Sequence, residues 1–304
     1  MTRILLLGKD GQLGRALARA EWFRDRGLAL GKSDCDLGDE DAIRQTVRDA
    51  APQIIINAAA YTAVDRAEDE PGPAFAINGR APGILAEEAH ALGAVLIHYS
   101  TDYVFDGSKS GPYVETDPVG PVGVYGDTKL AGEKAIAASG CRHVILRTSW
   151  VYSAHGENFA RTMLRLGRER EALCVVADQW GTPTSVDLLT DVTGRIVERL
   201  ADNYGSDDPV LGLFHCAASG RTNWRDYAAF FLSCCAEAGL DLKVDPEAIA
   251  AIPSDAYPTK ARRPQNSLLS SAKLEQTLGL TMPDWRIGVR DLAIELANDL
   301  VKAK

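Results

Sequence analysis

A chain of 304 residues, 46% apolar and 25% charged, can bury a sizeable core in one large domain or two modest ones. Its formal net charge of −9 gives no general attraction to nucleic acid or to an anionic membrane, so an anionic ligand would need a local basic patch. Neither a repeat of roughly 20–50 residues nor an apolar run of about 18 occurs, which argues against solenoids, propellers and a membrane-spanning helix.

The first apolar run, Ile4–Leu7, is too short for the core of a secretion signal and reads as a strand. A helix is expected from about Gln12 to Phe23, a short strand at Leu28–Leu30, a helix at Asp39–Asp49 and a strand at Ile54–Asn57. Pro73–Leu92 carries helical periodicity, followed by a strand at Ala94–Tyr99, a helix from about Val122 to Ala138 and a strand at His143–Arg147. Strands whose residues are nearly all apolar, separated by helical crossovers, imply a parallel sheet covered on both faces. The regularity weakens past Trp150. Phe159–Gly167 and Asp187–Leu200 read as helices, Gly212–Cys216 as one more buried strand, and Ile252–Pro264 as turn-rich. The expected fold is an α/β, Rossmann-like, doubly wound parallel sheet with a smaller C-terminal substrate lobe. Residues 1–150, with a return at about 184–218, would form the dinucleotide domain; 151–183 and 219–304 would form the lobe. Cys35, Cys141, Cys174, Cys216, Cys234 and Cys235 form no CxxC pair and none stands at zinc-ligand spacing to a histidine, so reduced thiols in a cytoplasmic protein are expected.

Strand Ile4–Leu7 runs into Gly8, Gly11 and Gly14 and then into a helix. Such a turn lets backbone approach a pyrophosphate, which then sits on the helix amides. The GxxGxxG spacing is weak by itself; its place in the first βα unit of a doubly wound pattern is what points to a dinucleotide. Dinucleotide sites selective for NAD put an acid about 20 residues on, at the end of the second strand. Leu30-Gly31-Lys32-Ser33 has none there, and Lys32 would suit a 2′-phosphate, so NADPH is the expected cofactor. Asp34 or Asp36 leaves NADH open, and Lys32 as a plain solvated lysine is the alternative.

Ser100, Thr101 and Asp102 follow the fourth strand, at the end of a parallel sheet where ligands bind. Tyr125 and Lys129 stand at i and i+4 near the start of the next helix, on one face. An ammonium beside a phenol would lower the tyrosine pKa from about 10, and such a tyrosine passes a proton to a carbonyl oxygen as hydride reaches its carbon. Thr101 would hydrogen-bond the same oxygen. His98, inside an apolar strand, reads as a satisfied core histidine, and Asp178, Gln179 and Trp180 as a loop between lobes.

The glycine loop, the hydroxyl residues after strand four and the YxxxK pair resemble the extended short-chain dehydrogenase/reductases, whose members act on nucleotide sugars. The stretches NAAAYTAVDRAE (Asn57–Glu68), HYSTDYVFDG (His98–Gly107), VYGDTKLAGE (Val124–Glu133), RTSWVY (Arg147–Tyr152), DQWGTPT (Asp178–Thr184) and RPQNSLL (Arg263–Leu269) more closely resemble the dTDP-4-dehydrorhamnose reductase family. The resemblance implies reduction of the C4 ketone of dTDP-4-dehydro-6-deoxy-L-mannose to dTDP-L-rhamnose, a precursor of cell-surface polysaccharide. It implies Tyr125, Lys129 and Thr101 as catalytic residues and Gly11, Gln12 and Leu13 at the pyrophosphate. Asp36 and Leu37 would border the adenine; Ala60, Tyr61 and Thr62 would line the nicotinamide half; and Lys129 would also hold the nicotinamide ribose. Thr101, Asp102 and Trp150 would contact the sugar nucleotide. Arg263, with Arg262, reads from its chemistry as a partner for the substrate diphosphate or as a surface charge. Two departures stand out: Gly31 where many members carry an acid, and Arg15 where some carry a metal-bridging carboxylate, so no metal is expected.

The alternatives are another nucleotide-sugar ketoreductase, an epimerase or dehydratase that retains its NAD, or a non-catalytic regulatory subunit of the same fold. The expected partner is the nucleotide sugar, with no nucleic acid or membrane, and the state is a monomer or homodimer. Lys32→Ala is expected to weaken NADPH use more than NADH use in steady-state kinetics; equal effects would remove the 2′-phosphate role.

Overall fold

The computed structural model describes residues 3–202 and 208–302. Positions 1, 2, 203–207, 303 and 304, which fall within the segments expected to form the two lobes, lie outside the described residues. Strands β1 (Ile4–Leu7), β2 (Gly27–Leu30), β3 (Ile54–Asn57), β4 (Val95–Thr101) and β5 (Arg142–Thr148) lie in one six-stranded parallel sheet. The sixth strand is Gly212–His215, paired with β5, and the order across the sheet is Gly212–His215, β5, β4, β3, β1, β2.

β1, β3 and β4 are buried along their whole length, because helices cover both faces of the sheet. On one face, Leu17 of helix α1 (Gln12–Arg19) and Leu189, Val192 and Ile196 of the Val186–Asp202 helix pack on Ile4, Leu6, Ile97 and Leu146. On the other, Ile43, Val47, Leu85, Ala89 and Ile136 cover Leu5, Ile55 and Leu96. The chain steps outward from β1 to β2 and then returns across β1 to β3. That reversal opens a crevice at the carboxyl ends of β1 and β3, where parallel sheets bind their ligands.

Two expected helices are interrupted, each for a local reason. The first ends at Arg19, since Ala20 is extended (φ −61°, ψ 139°), and a short helix, Glu21–Arg24, follows. The break drives Phe23 into the core over Gly27, where any Cβ would lie 2.1 Å from the Phe23 ring. The second runs as Pro71–Phe75, a π-turn at Ala76–Arg80, and Ala81–Leu92. Pro82 has no N–H to give to the carbonyl of Asn78, so the regular ladder cannot run through this point.

A second core, with Tyr152, Met163, Tyr227, Phe231, Trp285 and Val289, lies among the helices Phe159–Glu169, Trp224–Glu237 and Trp285–Lys302. Short strand pairs lace it together: Thr222–Asn223 with Trp180–Gly181, Ala250–Ile252 with Cys174–Val176, and Val151–Tyr152 with Thr184–Ser185.

The Val124–Ala138 helix is fixed to the sheet by a buried ion pair. Arg147 of β5 donates to Glu133 through Nε (2.9 Å) and Nη2 (2.6 Å), and the Ser100 hydroxyl of β4 donates to the same carboxylate. Both charged side chains are under 8% exposed, so each needs the other to offset its desolvation. Glu133→Leu is expected to cost about 3–5 kcal/mol by stranding Arg147, and Glu133→Leu with Arg147→Met is expected to recover much of it. Urea unfolding of the three proteins measures both.

Candidate active site

β1 ends in Gly8, whose φ of +90° and contact with β3's exit both demand glycine: a Cβ there would lie 2.7 Å from the Ala59 nitrogen. Gly14 lets α1 sit on the turn, since a Cβ at that position would lie 1.9 Å from the Gly8 oxygen. Gly11 is the N-cap of α1 and brings no capping side chain. The helix ladder starts with Arg15 N–H donating to the Gly11 oxygen (3.0 Å), which leaves the amides of Gln12, Leu13 and Gly14 at the open helix end. A diphosphate fits this cradle, because it meets unspent N–H donors and the positive end of the helix. The Gln12 side chain turns away from it: Oε1 accepts from Ser153 Oγ (3.0 Å) and Asn158 Nδ2 (2.8 Å). Gln12 thus has only its backbone N–H to offer at the helix end, and Leu13 is a buried packing residue.

At the end of β2, Lys32 projects into solvent with its side chain 79% exposed and its Nζ 3.9 Å from Asp36 Oδ2. Asp36 uses Oδ1 to accept from Gly38 N–H (2.9 Å), and Leu37 is buried beside it. Lys9, in the glycine loop, is the cation the sequence reading missed. Its Nζ donates to Asp34 Oδ2 (2.6 Å), which also accepts from Gly31 N–H (2.9 Å), so Lys9 stands over the β2 end. The side chain of Asp10 fills the space that a Cβ on Gly31 would enter, 2.0 Å from its Oδ2. Gly31 is thus matched to Asp10 rather than simply lacking an acid.

The loop after β3 holds Ala60, Tyr61 and Thr62. Asn78, carried on the π-turn, pins it: Oδ1 accepts from Tyr61 N–H (2.8 Å) and Nδ2 donates to the Tyr61 oxygen (3.0 Å). The Tyr61 hydroxyl donates to Glu70 (2.8 Å), and Thr62 is exposed.

β4 extends to Thr101, which caps the tight turn Asp102–Val104 by accepting from Tyr103 N–H (3.2 Å) and donates its hydroxyl to Asp102 Oδ1 (2.9 Å). Gly126 lets the Val124–Ala138 helix touch that turn, since a Cβ there would lie 2.3 Å from the Tyr103 oxygen. Tyr125 is thereby brought beside Thr101, whose hydroxyl favours the ionised phenol, and it meets the Tyr103 ring edge-on at 5.5 Å. The expected lowering of the tyrosine pKa is overturned. Surrounding protein pushes the Tyr125 phenol up to about 12; the Thr101 hydrogen bond opposes the rise and the Asp102 charge adds to it.

Lys129, 2% exposed, donates from Nζ to the Tyr99 carbonyl (2.6 Å) and lies 3.2 Å from His98 Nε2. Burial pulls its amine down to about 8, with Glu133 acting the other way. His98 is a core histidine that touches the candidate catalytic lysine, and the sequence offered no sign of that contact.

Asp102 is 2% exposed, and desolvation pushes its carboxyl up to about 6 against the hydroxyls of Ser267 and Thr101. Trp150 follows β5 with φ +47°, a strained conformation for a large side chain, and stacks on Trp224 at 3.5 Å between ring centroids. Glycine at 181 makes room for it, because a Cβ there would meet the indole at 2.4 Å. Arg263 forms a fork on Asp65 through Nη1 (3.1 Å) and Nη2 (2.7 Å), closing the C-terminal segment onto the Val64–Ala67 helix. Asp178 accepts from Ser254, and Gln179 accepts from the Trp224 indole (3.2 Å), so both act as cross-links. Arg15 donates to the Asp10 carbonyl (3.0 Å) and lines a cavity with Arg19, His155, Asp187 and Glu295. Among the described residues no group of three His, Cys, Asp or Glu side chains is placed to hold a metal, and no helix is long and apolar enough to cross a membrane.

Residues 1–298 match the family model described as the RmlD substrate binding domain. The dTDP-4-dehydrorhamnose reductase of Escherichia coli K12 is 46% identical over 297 residues, covering 96% of this chain and 97% of that protein. This chain belongs to the dTDP-4-dehydrorhamnose reductase family. The Shigella flexneri enzyme of the same name is 45% identical over the same coverage of both chains. A crystal structure of the Bacillus anthracis family member in complex with NADP superimposes with a TM-score of 0.84 at 32% identity, covering 97% of this chain and 99% of that one.

The raised Asp102 pKa has a stability consequence with a definite sign. The neutral acid is the form the fold favours, so the contribution is fully present below the ordinary 3.8 and lost as pH rises through about 6. Asp102→Asn is expected to raise stability near pH 8 by on the order of 2 kcal/mol and to change little at pH 4 or below, as thermal unfolding across pH would show.

Proposed function

We propose that this chain is an NAD(P)H-dependent reductase that converts dTDP-4-dehydro-6-deoxy-L-mannose to dTDP-L-rhamnose. The observation that carries the reading is the meeting of Tyr125 with the Thr101–Tyr103 turn at the end of β4, one strand from the β1/β3 crevice, in a chain of this family. A bound nicotinamide supplies hydride to C4. The amides of Gln12, Leu13 and Gly14 would hold the pyrophosphate, the pinned Ala60–Thr62 loop would line the nicotinamide half, and Lys129 with Tyr125 would take the ribose hydroxyls. Asp102 and Trp150 would hold the sugar.

Tyr125 gives its proton to the C4 oxygen as the carbon is reduced, and solvent restores it; Thr101 would donate to the phenolate by turning its hydroxyl from Asp102 Oδ1. The phenol, raised to about 12, arrives protonated, as an ordinary phenol also would at neutral pH. Preference for NADPH rests on Lys9 and Lys32 at the β2 end and on the NADP complex of the Bacillus anthracis relative. A cytoplasmic location and a monomeric or homodimeric state belong to the same reading.

Tyr125→Phe is expected to lower turnover by roughly 10²–10⁴-fold while NADPH binding is retained. Nicotinamide absorbance with the enzymatically generated keto-sugar, together with cofactor titration by fluorescence, measures the two. Wild-type protein that binds NADPH but leaves this sugar unreduced would overturn the substrate assignment.

A further inference from the structure

Among the described residues two that are not glycine have a positive φ, and one of them, Ala51, simply ends a helix. The other is Trp150. A bulky side chain in the left-handed region is strained, and such strain persists only where the surroundings dictate it, often beside a ligand. The segment Asp178–Thr184, which the sequence marks only as a loop between lobes, dictates it here. The Ser149 hydroxyl donates to the Thr182 carbonyl (3.0 Å), and Thr184 N–H donates to the Trp150 carbonyl (3.2 Å). Gly181 leaves the space that the indole fills. A further restraint is the stack on Trp224, whose ring centroid lies 3.5 Å away with only 11° between the planes.

The two stacked indoles are not equivalent. The Trp224 N–H donates to Gln179 Oε1 (3.2 Å), and Gln179 Nε2 donates in turn to Ser254 Oγ (3.0 Å). Phe159 packs on the same indole at 4.6 Å. Among the described residues nothing accepts from the Trp150 N–H. Both rings are half-buried at the rim of the second core, whereas Tyr227 and Trp285 within it are 1% and 2% exposed. One indole is tied down. The other is held with its donor free, just past the end of β5, where parallel sheets bind ligands.

We infer that Trp224 and Gln179 are positioning residues for Trp150: they fix its indole past the end of β5, so that the ring and its free N–H meet the substrate's sugar already ordered. That Trp150 meets a sugar rests on the function proposed above; the stack and its tie to Gln179 do not. The gain is preorganisation, since an indole free to turn would lose rotamer freedom at each binding event. The loop residues thereby acquire separate duties. Asp178 anchors Ser254, Gln179 anchors Trp224, and Gly181 gives Trp150 its room.

Two measurements on the full chain test this. The indole N–H resonance of Trp150, identified by its loss in Trp150→Phe, is expected to be a single ring-current-shifted signal in the wild type. It is expected to move towards the position of a free indole in Trp224→Ala and to return most of the way in Trp224→Phe, which restores a ring to the stack. With the keto-sugar as substrate, Trp224→Ala is expected to lose roughly 10–100-fold in kcat/KM while the Kd for NADPH stays at the wild-type value. Adding Trp224→Ala to Trp150→Ala is expected to cost almost nothing further, because Trp224 acts through Trp150. Losses that multiply would overturn the inference, as would an unmoved Trp150 resonance or an unchanged kcat/KM in Trp224→Ala. Should Trp224→Ala fail to fold, Gln179→Leu carries the same test: it frees the Trp224 N–H but keeps the ring, and an unmoved resonance there also overturns the inference. A wild type that leaves this sugar unreduced would overturn the reductase reading instead, and the Trp150 resonance then decides the positioning by itself.

Discussion

Where Glu133 lies between Ser100 and Arg147, a helix is tied to two strands by charge in a place water does not reach. The helix carries Tyr125 and Lys129 and the strands carry Thr101 and His98, so this one contact fixes the relative position of the residues that matter. The same helix is held close to its surroundings by glycines: Gly126 meets the Tyr103 carbonyl and Gly132 the Asn78 carbonyl, where a Cβ would lie 2.2 Å away. A polar anchor and a tight glycine fit act together, one choosing the register and the other the distance.

Desolvation then shifts the ionisable groups. Tyr125 and Asp102 are moved upward and Lys129 downward, and in every case the uncharged form gains. This differs from a picture in which a lysine ammonium makes a neighbouring phenol more acidic. Lys129 Nζ donates to the Tyr99 carbonyl and lies 3.2 Å from His98 Nε2, while Tyr125 meets the Tyr103 ring. A protonated phenol beside a hydroxyl suits delivery of a proton to a ketone.

The two cores meet at the cleft through specific side chains. Gln12 reaches from the glycine loop to Ser153 and Asn158, and Arg263 returns the C-terminal segment to Asp65. Trp150, held in a left-handed conformation against Trp224, sits between the end of β5 and the second core. The glycine loop is thus braced by the lobe that would carry the sugar, which gives the cofactor and substrate halves a shared frame.

The order of strands and helices was legible because burial on both sheet faces writes itself as unbroken apolar runs such as Ile54–Ile56. The GxxGxxG loop and the YxxxK pair were legible because the tight turn and the shared helical face each require fixed spacing. The motifs also named the family, since they recur together across the whole chain. The sequence did not reveal what each side chain touches. Arg263 was read as a phosphate partner or a surface charge and forms a fork on Asp65; Lys32 was singled out while Lys9 holds the β2 end; His98 was read as core and also contacts Lys129. These contacts join residues 25 to 198 positions apart, and the environment that moves the Tyr125 pKa up rather than down is built by the folded protein around it. Spacing along a chain determines what one element can present. Only the tertiary structure decides which partner it meets and how much water is left between them.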